Sequence, residues 1–95
     1  MKDIVYVNGS FVPRAEARVS VEDRGFVFGD GVYEVIRIIN GRMFAATFHN
    51  DRLRRSLEGV RISLSAGDSA ERFLEIGKEL LKENGLLQGE ATLYM

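Results

Sequence analysis

The segment His49–Arg55 holds the sequence's one histidine and three of its ten arginines. Leu53 and Leu57 would mark the buried side of a helix here, and Arg52 lies one position from that side. The Arg52 guanidinium could therefore reach past the helix towards an oxyanion, where its fork suits phosphate or carboxylate. The other two arginines lie further round the helix, where they fit an ordinary solvated face.

Tyr33 follows a glycine-rich turn, Gly29-Asp30-Gly31, that matches neither the dinucleotide fingerprint nor the Walker pattern. Its hydroxyl could face a ligand in a cleft, or its ring could belong to the core. Glu34 stands among apolar residues and either pairs with an arginine or serves a site. His49 is at best a lone base, since one histidine excludes a His-His metal site, and it could simply bond its helix neighbours. These residues do not form a complete catalytic set.

The elements that must position these residues begin with predicted strands. The sequence predicts a hairpin over 4–12 that turns at Asn8-Gly9, then an aromatic loop over 22–31. A central strand is predicted over 32–40, followed by a second hairpin turn at Asn40-Gly41. Period 2 assigns alternate residues of this strand to opposite faces: Tyr33, Val35, Arg37 and Ile39 to one, Val32, Glu34, Ile36 and Ile38 to the other.

Helical periodicity replaces the strand pattern after residue 46. One helix is predicted from an N-cap at Thr47 to about Val60. A second is predicted over 68–84, capped by Asp68 or Ser69. A further strand begins near Ala91. These elements indicate an α/β protein of the α+β two-layer type, with a mostly antiparallel sheet and two helices.

Composition excludes several classes of protein. The net charge is −1 with 45% hydrophobic and 28% charged residues, the balance of a folded domain and not of a disordered chain. There is no basic excess for binding nucleic acid, and no cysteine for a disulfide or a zinc-thiolate site. No apolar run approaches the roughly 20 residues that span a bilayer. We expect no nucleic-acid, membrane or metal partner, and a cytoplasmic location.

Several motifs together resemble one family. They are Glu22-Asp23-Arg24-Gly25-Phe26, Phe28-Gly29-Asp30-Gly31-Val32-Tyr33-Glu34-Val35, Asn40-Gly41 and His49-Asn50-Asp51-Arg52-Leu53. In order and spacing, from about Ile4 to Val60, they resemble the N-terminal domain of the fold-type IV pyridoxal-phosphate enzymes, most closely the D-amino acid aminotransferases. The resemblance implies the cofactor pyridoxal 5'-phosphate.

The resemblance also implies roles for particular residues. Arg52 matches the arginine that contacts the cofactor phosphate, and Tyr33 matches the tyrosine that reaches the substrate near its carboxylate. Val35 would share that face as a wall of the substrate site, whereas Glu34 points the other way. His49 occupies the family's histidine position near the phosphate, with a possible direct or water-mediated role.

No lysine stands where the family's chemistry needs one. Lys2 is terminal, and Lys78 and Lys82 fall on the solvent face of a predicted helix. We therefore expect residues 1–95 to be a truncated N-terminal small domain, inactive alone and without a catalytic residue. The resemblance implies a homodimeric parent that transfers an amino group from a D-amino acid, such as D-alanine, to a 2-oxo acid by a ping-pong route.

Alternatives remain open at this stage. Branched-chain aminotransferases and aminodeoxychorismate lyases share the scaffold. The former typically have a Phe-Glu-Gly run where this chain has Val32-Tyr33-Glu34-Val35, and the latter usually lack the tyrosine. A non-catalytic module, complete at 95 residues, that binds an anion or mediates dimerisation is a further alternative.

Overall fold

The first sheet is a hairpin at the start of the chain. A computed structural model describes residues 2–95. In it, β1 (Ile4–Val7) pairs antiparallel with β2 (Ser10–Pro13). Asn8 and Gly9 form the turn with φ angles of 49° and 87°, which asparagine and glycine adopt at little cost. The predicted hairpin is confirmed.

The second sheet has the strand order β4-β3-β5. Its strands are β3 (Val35–Ile39), β4 (Arg42–Met43) and β5 (Glu90–Tyr94), and all pairs are antiparallel. Glu34 and Met95 continue the β3–β5 pairing, with backbone hydrogen bonds of 2.7 and 2.9 Å. The predicted central strand is confirmed, although its regular part begins at residue 35.

The helices differ from prediction in number. The two expected helices are present as α2 (Ala46–Gly59) and α3 (Ala70–Glu83). A short α1 (Arg24–Phe28) lies within the segment predicted to be a loop, and a 3-10 turn covers Arg14–Glu16. The side chain of Asp23 caps α1. Five residues are too few to show helical periodicity, so the loop prediction over 22–31 was wrong there.

The helix caps show one failure and one success of the sequence patterns. The N-cap of α2 is Ala45, in the left-handed region at φ 55° and without a side-chain bond. Thr47 is thus not the cap, because the chain turns out of β4 two residues earlier. The N-cap of α3 is Ser69, whose hydroxyl accepts the N–H of Arg72 at 3.0 Å, as one of the predicted alternatives required.

Helices α2 and α3 cover only one face of the second sheet. Ile36 and Ile38 are fully buried on this covered face, where Leu81 and Leu93 pack against them. We call the opposite side of β3 the open face; it carries Tyr33, Val35, Arg37 and Ile39, all exposed. The two-layer α+β class is confirmed, with two antiparallel sheets where one was expected. In residues 2–95 no helix has the length and apolarity to cross a bilayer.

Candidate functional site

A fork of two hydrogen bonds joins the start of β3 to α2. Glu34 lies on the covered face with only 2% of its surface exposed. The Arg52 Nε donates to Glu34 Oε2 at 2.7 Å, and Nη2 donates to Oε1 at 2.9 Å. Arg52 therefore does turn inward from the helix seam, as its spacing predicts. The oxyanion that it meets within the chain is the Glu34 carboxylate.

His49 joins the same carboxylate. Its Nδ1 lies 2.6 Å from Glu34 Oε1, and the ring is largely buried, with 15% of the side chain exposed. An ionised carboxylate only accepts hydrogen bonds, so Nδ1 carries the proton in this contact. His49, one turn before Arg52 on α2, thus helps to hold Glu34 and leaves Nε2 outside the pair.

The Glu34 carboxyl group is ionised near neutral pH. Hydrogen bonding from Arg52 lowers the pKa of Glu34 to about 2, although burial acts in the opposite direction; the bond from His49 lowers it further. The bonded Glu34 carboxylate in turn raises the pKa of Arg52, with a smaller contribution from Tyr33. The cluster is therefore a buried anion held by at least one permanent cation.

Arg52 keeps binding capacity after pairing with Glu34. A guanidinium has five N–H donors, and Glu34 accepts two of them. The remaining donors lie on Nη1 and Nη2, and the side chain is 47% exposed. The centroid of the Phe48 ring lies 5.1 Å from the Arg52 Cζ, so the ring packs against a second side of the guanidinium. A phosphate group fits this arrangement, because the donors left free are oriented and reachable.

Tyr33 and Val35 lie on the open face, opposite Glu34. They are 66% and 40% exposed. The Tyr33 ring stacks on Tyr94 of β5, with 6.0 Å between centroids and 14° between planes. The alternation predicted for the strand is therefore observed, and it leaves both side chains accessible on that face.

The lysines and the possible metal ligands also limit what chemistry the described residues can perform. Lys2, Lys78 and Lys82 are all exposed, the last two on α3. Within residues 2–95, no three His, Cys, Asp or Glu side chains lie close enough together to hold a metal ion.

Sequence reasoning predicted Arg52, His49, Tyr33 and Val35 as site residues and gave pairing with an arginine as one role for Glu34. It did not show that Arg52 and His49 would both bind this carboxylate. Glu34 joins two residues that lie 15 and 18 positions later. A carboxylate on the apolar face of a central strand was the available signal, because such a group needs a buried cation. What the spacing could not show is which arginine would cross to meet it.

Known proteins provide an independent comparison. No protein-family model matches the sequence. A D-alanine aminotransferase of Staphylococcus haemolyticus is 44% identical over 85 residues, which are 90% of this chain and 29% of that protein. A D-alanine aminotransferase of Listeria monocytogenes serotype 1/2a is 43% identical over 91 residues, 96% of this chain and 31% of that protein. The chain thus spans about three-tenths of the length of the curated relatives it matches.

Solved structures agree on the fold. A branched-chain amino acid aminotransferase of T.th., complexed with N-(5'-phosphopyridoxyl)-L-glutamate, superposes with a TM-score of 0.83 at 26% identity, covering 98% of this chain and 31% of that one. The same enzyme with pyridoxamine 5'-phosphate gives the same score and identity. The chain therefore resembles D-alanine aminotransferases over nine-tenths of its length, and its fold is that of the N-terminal domain of a fold-type IV aminotransferase.

Proposed function

We propose that residues 1–95 form the small N-terminal domain of a longer aminotransferase that uses pyridoxal 5'-phosphate. The proposed reaction moves an amino group from a D-amino acid, such as D-alanine, to a 2-oxo acid by a ping-pong route. Support comes from the relatives named D-alanine aminotransferase, which are about three times longer, and from two structural neighbours with phosphopyridoxyl-type ligands. Since the lysines are exposed, we propose that the chain alone does not transaminate.

The free edge of Arg52 is the observation that carries this proposal. Glu34 and Phe48 hold the guanidinium from two sides, so its remaining N–H groups are presented in one orientation. A bidentate bond from this edge would retain the cofactor phosphate. His49 would act through Glu34, by holding the carboxylate that orients Arg52.

The open face would supply the contacts to the substrate. Tyr33 presents a hydroxyl that can donate to a substrate carboxylate, and Val35 presents an apolar wall two residues further on. When bound, pyridoxal phosphate supplies the electrophilic carbon and the ring that withdraws electrons from the substrate α-carbon. The residues of this chain would bind the cofactor phosphate and orient the substrate.

Replacing Arg52 tests the proposed role in the full-length parent. We expect Arg52→Ala to weaken binding of pyridoxal phosphate by about 10-fold to 100-fold, the effect of losing hydrogen bonds to a charged group. Equilibrium dialysis with the free cofactor measures this directly. Arg55→Ala is the matched control, since Arg55 is exposed on the same helix. Unchanged cofactor affinity in a folded Arg52→Ala protein would sink the assignment.

A branched-chain L-amino acid is the second candidate substrate, because the structural neighbours are branched-chain aminotransferases. The higher sequence identity to D-alanine aminotransferases favours the D-amino acid. Assays of the full-length protein with D-alanine, a branched L-amino acid and aminodeoxychorismate separate these activities from a lyase. Activity with none of them would favour the non-catalytic module.

The family resemblance also supports a homodimeric, cytoplasmic parent. Sedimentation of the full-length protein tests the dimer, and cell fractionation tests the location. A monomer with full activity would remove the first expectation.

A further inference from the structure

A groove of about 650 Å³ separates the first hairpin from β5. Its floor is apolar and includes Leu80 and Leu81 of α3 together with Leu93. On its two sides lie β1 and β5, which belong to different sheets and are not paired with each other. The groove therefore separates the two sheets along residues 92–94 of β5.

The side of the groove formed by β5 is an open strand edge. The β3–β5 register pairs Leu93 with Ile36, and Glu34 exchanges both backbone bonds with Met95. In an antiparallel ladder such hydrogen-bonded pairs alternate with residues whose N–H and C=O point away. The backbone groups of Thr92 and Tyr94 therefore point towards the groove, and within residues 2–95 none of these groups has a hydrogen-bond partner.

The facing side, formed by β1, is partly open. The same alternation directs the backbone groups of Ile4 and Tyr6 away from β2. The Asn84 side chain bonds both groups of Ile4, accepting its N–H at 2.8 Å and donating to its C=O at 2.9 Å. The outward groups of Tyr6 have no such partner in the described part of the chain. Asn84 thus anchors the hairpin to α3, at one end of the groove.

We infer that this groove accepts one extended β-strand, supplied by the part of the parent protein that this chain does not contain. The inference rests on the proposed function, since the relatives are about three times longer than this chain. An extended backbone matches both sides, because it offers donors and acceptors to each neighbour at strand spacing. Alternate apolar side chains of such a strand would cover the half-buried Leu80 and pack beside Leu81 and Leu93, which are already buried.

Two physical costs disappear when a strand fills the groove. Unpaired strand edges are open to pairing with other chains, and the part of the half-buried Leu80 side chain that water reaches costs free energy. The inserted strand satisfies Thr92, Tyr94 and Tyr6 and joins the two sheets into one. It would also tie the domain to the rest of the parent near Tyr94, which stacks on Tyr33.

Backbone hydrogen exchange in the full-length protein tests the inference. We expect the amides of Thr92, Tyr94 and Tyr6 to exchange at least about 100-fold more slowly than unpaired edge amides, as a buried ladder requires. The amide of Leu93, bonded to β3 in any case, is the internal control. Fast exchange at Thr92 and Tyr94 alongside a protected Leu93 would overturn the inference.

Two further outcomes separate this inference from its alternatives. Protection that disappears on dilution to monomer would assign the groove to a second copy and overturn it. Titration with free pyridoxal phosphate tests the proposed function separately. A protein that binds cofactor but leaves Thr92 unprotected would refute only the strand, and a protein with a protected Thr92 but no cofactor affinity would refute only the enzyme.

Discussion

The two faces of β3 carry similar residue types and have opposite environments. Ile36 and Ile38 are 0% exposed on the covered face, whereas Val35 and Ile39 are 40% and 42% exposed on the open face. Only the covered face meets α2 and α3. Apolar residues on a central strand therefore do not by themselves show a core on both sides. The open face is available for a ligand or for another part of a larger protein.

Charged pairs repeat the contrast between the faces. On the covered face, Glu34 is bonded by Arg52 and His49 and is 2% exposed. On the open face, Arg37 and Glu90 form a 2.9 Å pair with 61% and 69% of the side chains exposed. Because Glu34 is buried, the first pair is costly to break. The second pair is exposed, so water screens its attraction. If the covered face provides most of the stability, a substitution there should lower the free energy of unfolding more than the matching substitution on the open face.

Truncation of a core isoleucine should give the largest effect. We expect Ile36→Ala to lower the free energy of unfolding by about 3 to 4 kcal/mol, through lost burial and a residual cavity. Val35→Ala, the neighbour on the open face, should cost less than about 1 kcal/mol. Urea denaturation followed by circular dichroism measures both. Equal losses would show that the open face is packed as well.

Neutralising Glu34 should give the next largest effect. Glu34→Gln keeps the shape but points an amide N–H₂ at donors from Arg52 and His49, so we expect a loss of about 2 to 3 kcal/mol at pH 7. Glu90→Gln, on the exposed pair, should cost about 0.5 kcal/mol or less. Urea midpoints compare the two at neutral pH.

The same variant predicts a pH dependence. The folded pKa of Glu34 is lowered from 4.5 to about 2. A group with a depressed folded pKa contributes stability that is complete above its unfolded pKa and is lost as the pH falls through the folded one. The gap between wild type and Glu34→Gln should therefore stay constant from pH 7 to about pH 5 and shrink towards pH 2. A gap that did not change over this range would contradict the ionised cluster.

Two glycines provide a smaller test. A Cβ on Gly77 of α3 would lie 2.5 Å from Leu93 Cδ2 and 3.0 Å from Met43 Cε, whereas a Cβ on Gly59 of α2 would meet nothing within 4 Å. Alanine gains about 1 kcal/mol of helix propensity at either position, but at Gly77 overpacking costs about 1 to 3 kcal/mol.

We expect Gly77→Ala to destabilise by about 1 kcal/mol and Gly59→Ala to stabilise by about 0.5 kcal/mol. Thermal unfolding of the two variants side by side decides the sign of each. A stabilised Gly77→Ala protein would mean that Leu93 and Met43 yield easily, and that the covered face is less tightly packed than its burial implies.

Local patterns predicted the elements well where one residue type decides the backbone. Asn8-Gly9 and Asn40-Gly41 specified their turns, and Ser69 capped α3. Alternation also assigned the faces of β3. In each case the deciding interaction lies within a few residues, so a single sequence contains it.

Contacts between distant elements were beyond these patterns. The cap at Ala45 depends on how the chain leaves β4, and the division into two sheets follows because β1 and β5 do not pair. Glu34 meets α2 only once β3 and the helix are packed, so its partners could not be chosen from spacing. Asn50 is buried with an Oδ1 that has no partner among the described residues, and nothing in the sequence explains it. The roles of Arg52 and Tyr33 remain predictions for experiment.

The smallest effect on stability, and the most specific for function, should come from Tyr33. Tyr33→Phe keeps the ring that stacks on Tyr94 and removes a hydroxyl from an exposed side chain, so the unfolding free energy should change by less than about 0.5 kcal/mol. In the full-length parent, a lost hydrogen bond to a substrate carboxylate should raise the KM for D-alanine about 10-fold, with cofactor affinity unchanged. Tyr94→Phe is the matched control, since it removes the hydroxyl of the other stacked ring and also keeps the stack. A raised KM in both variants would show that the effect is not specific to the Tyr33 hydroxyl, and an unchanged KM in Tyr33→Phe would leave this hydroxyl without a substrate role.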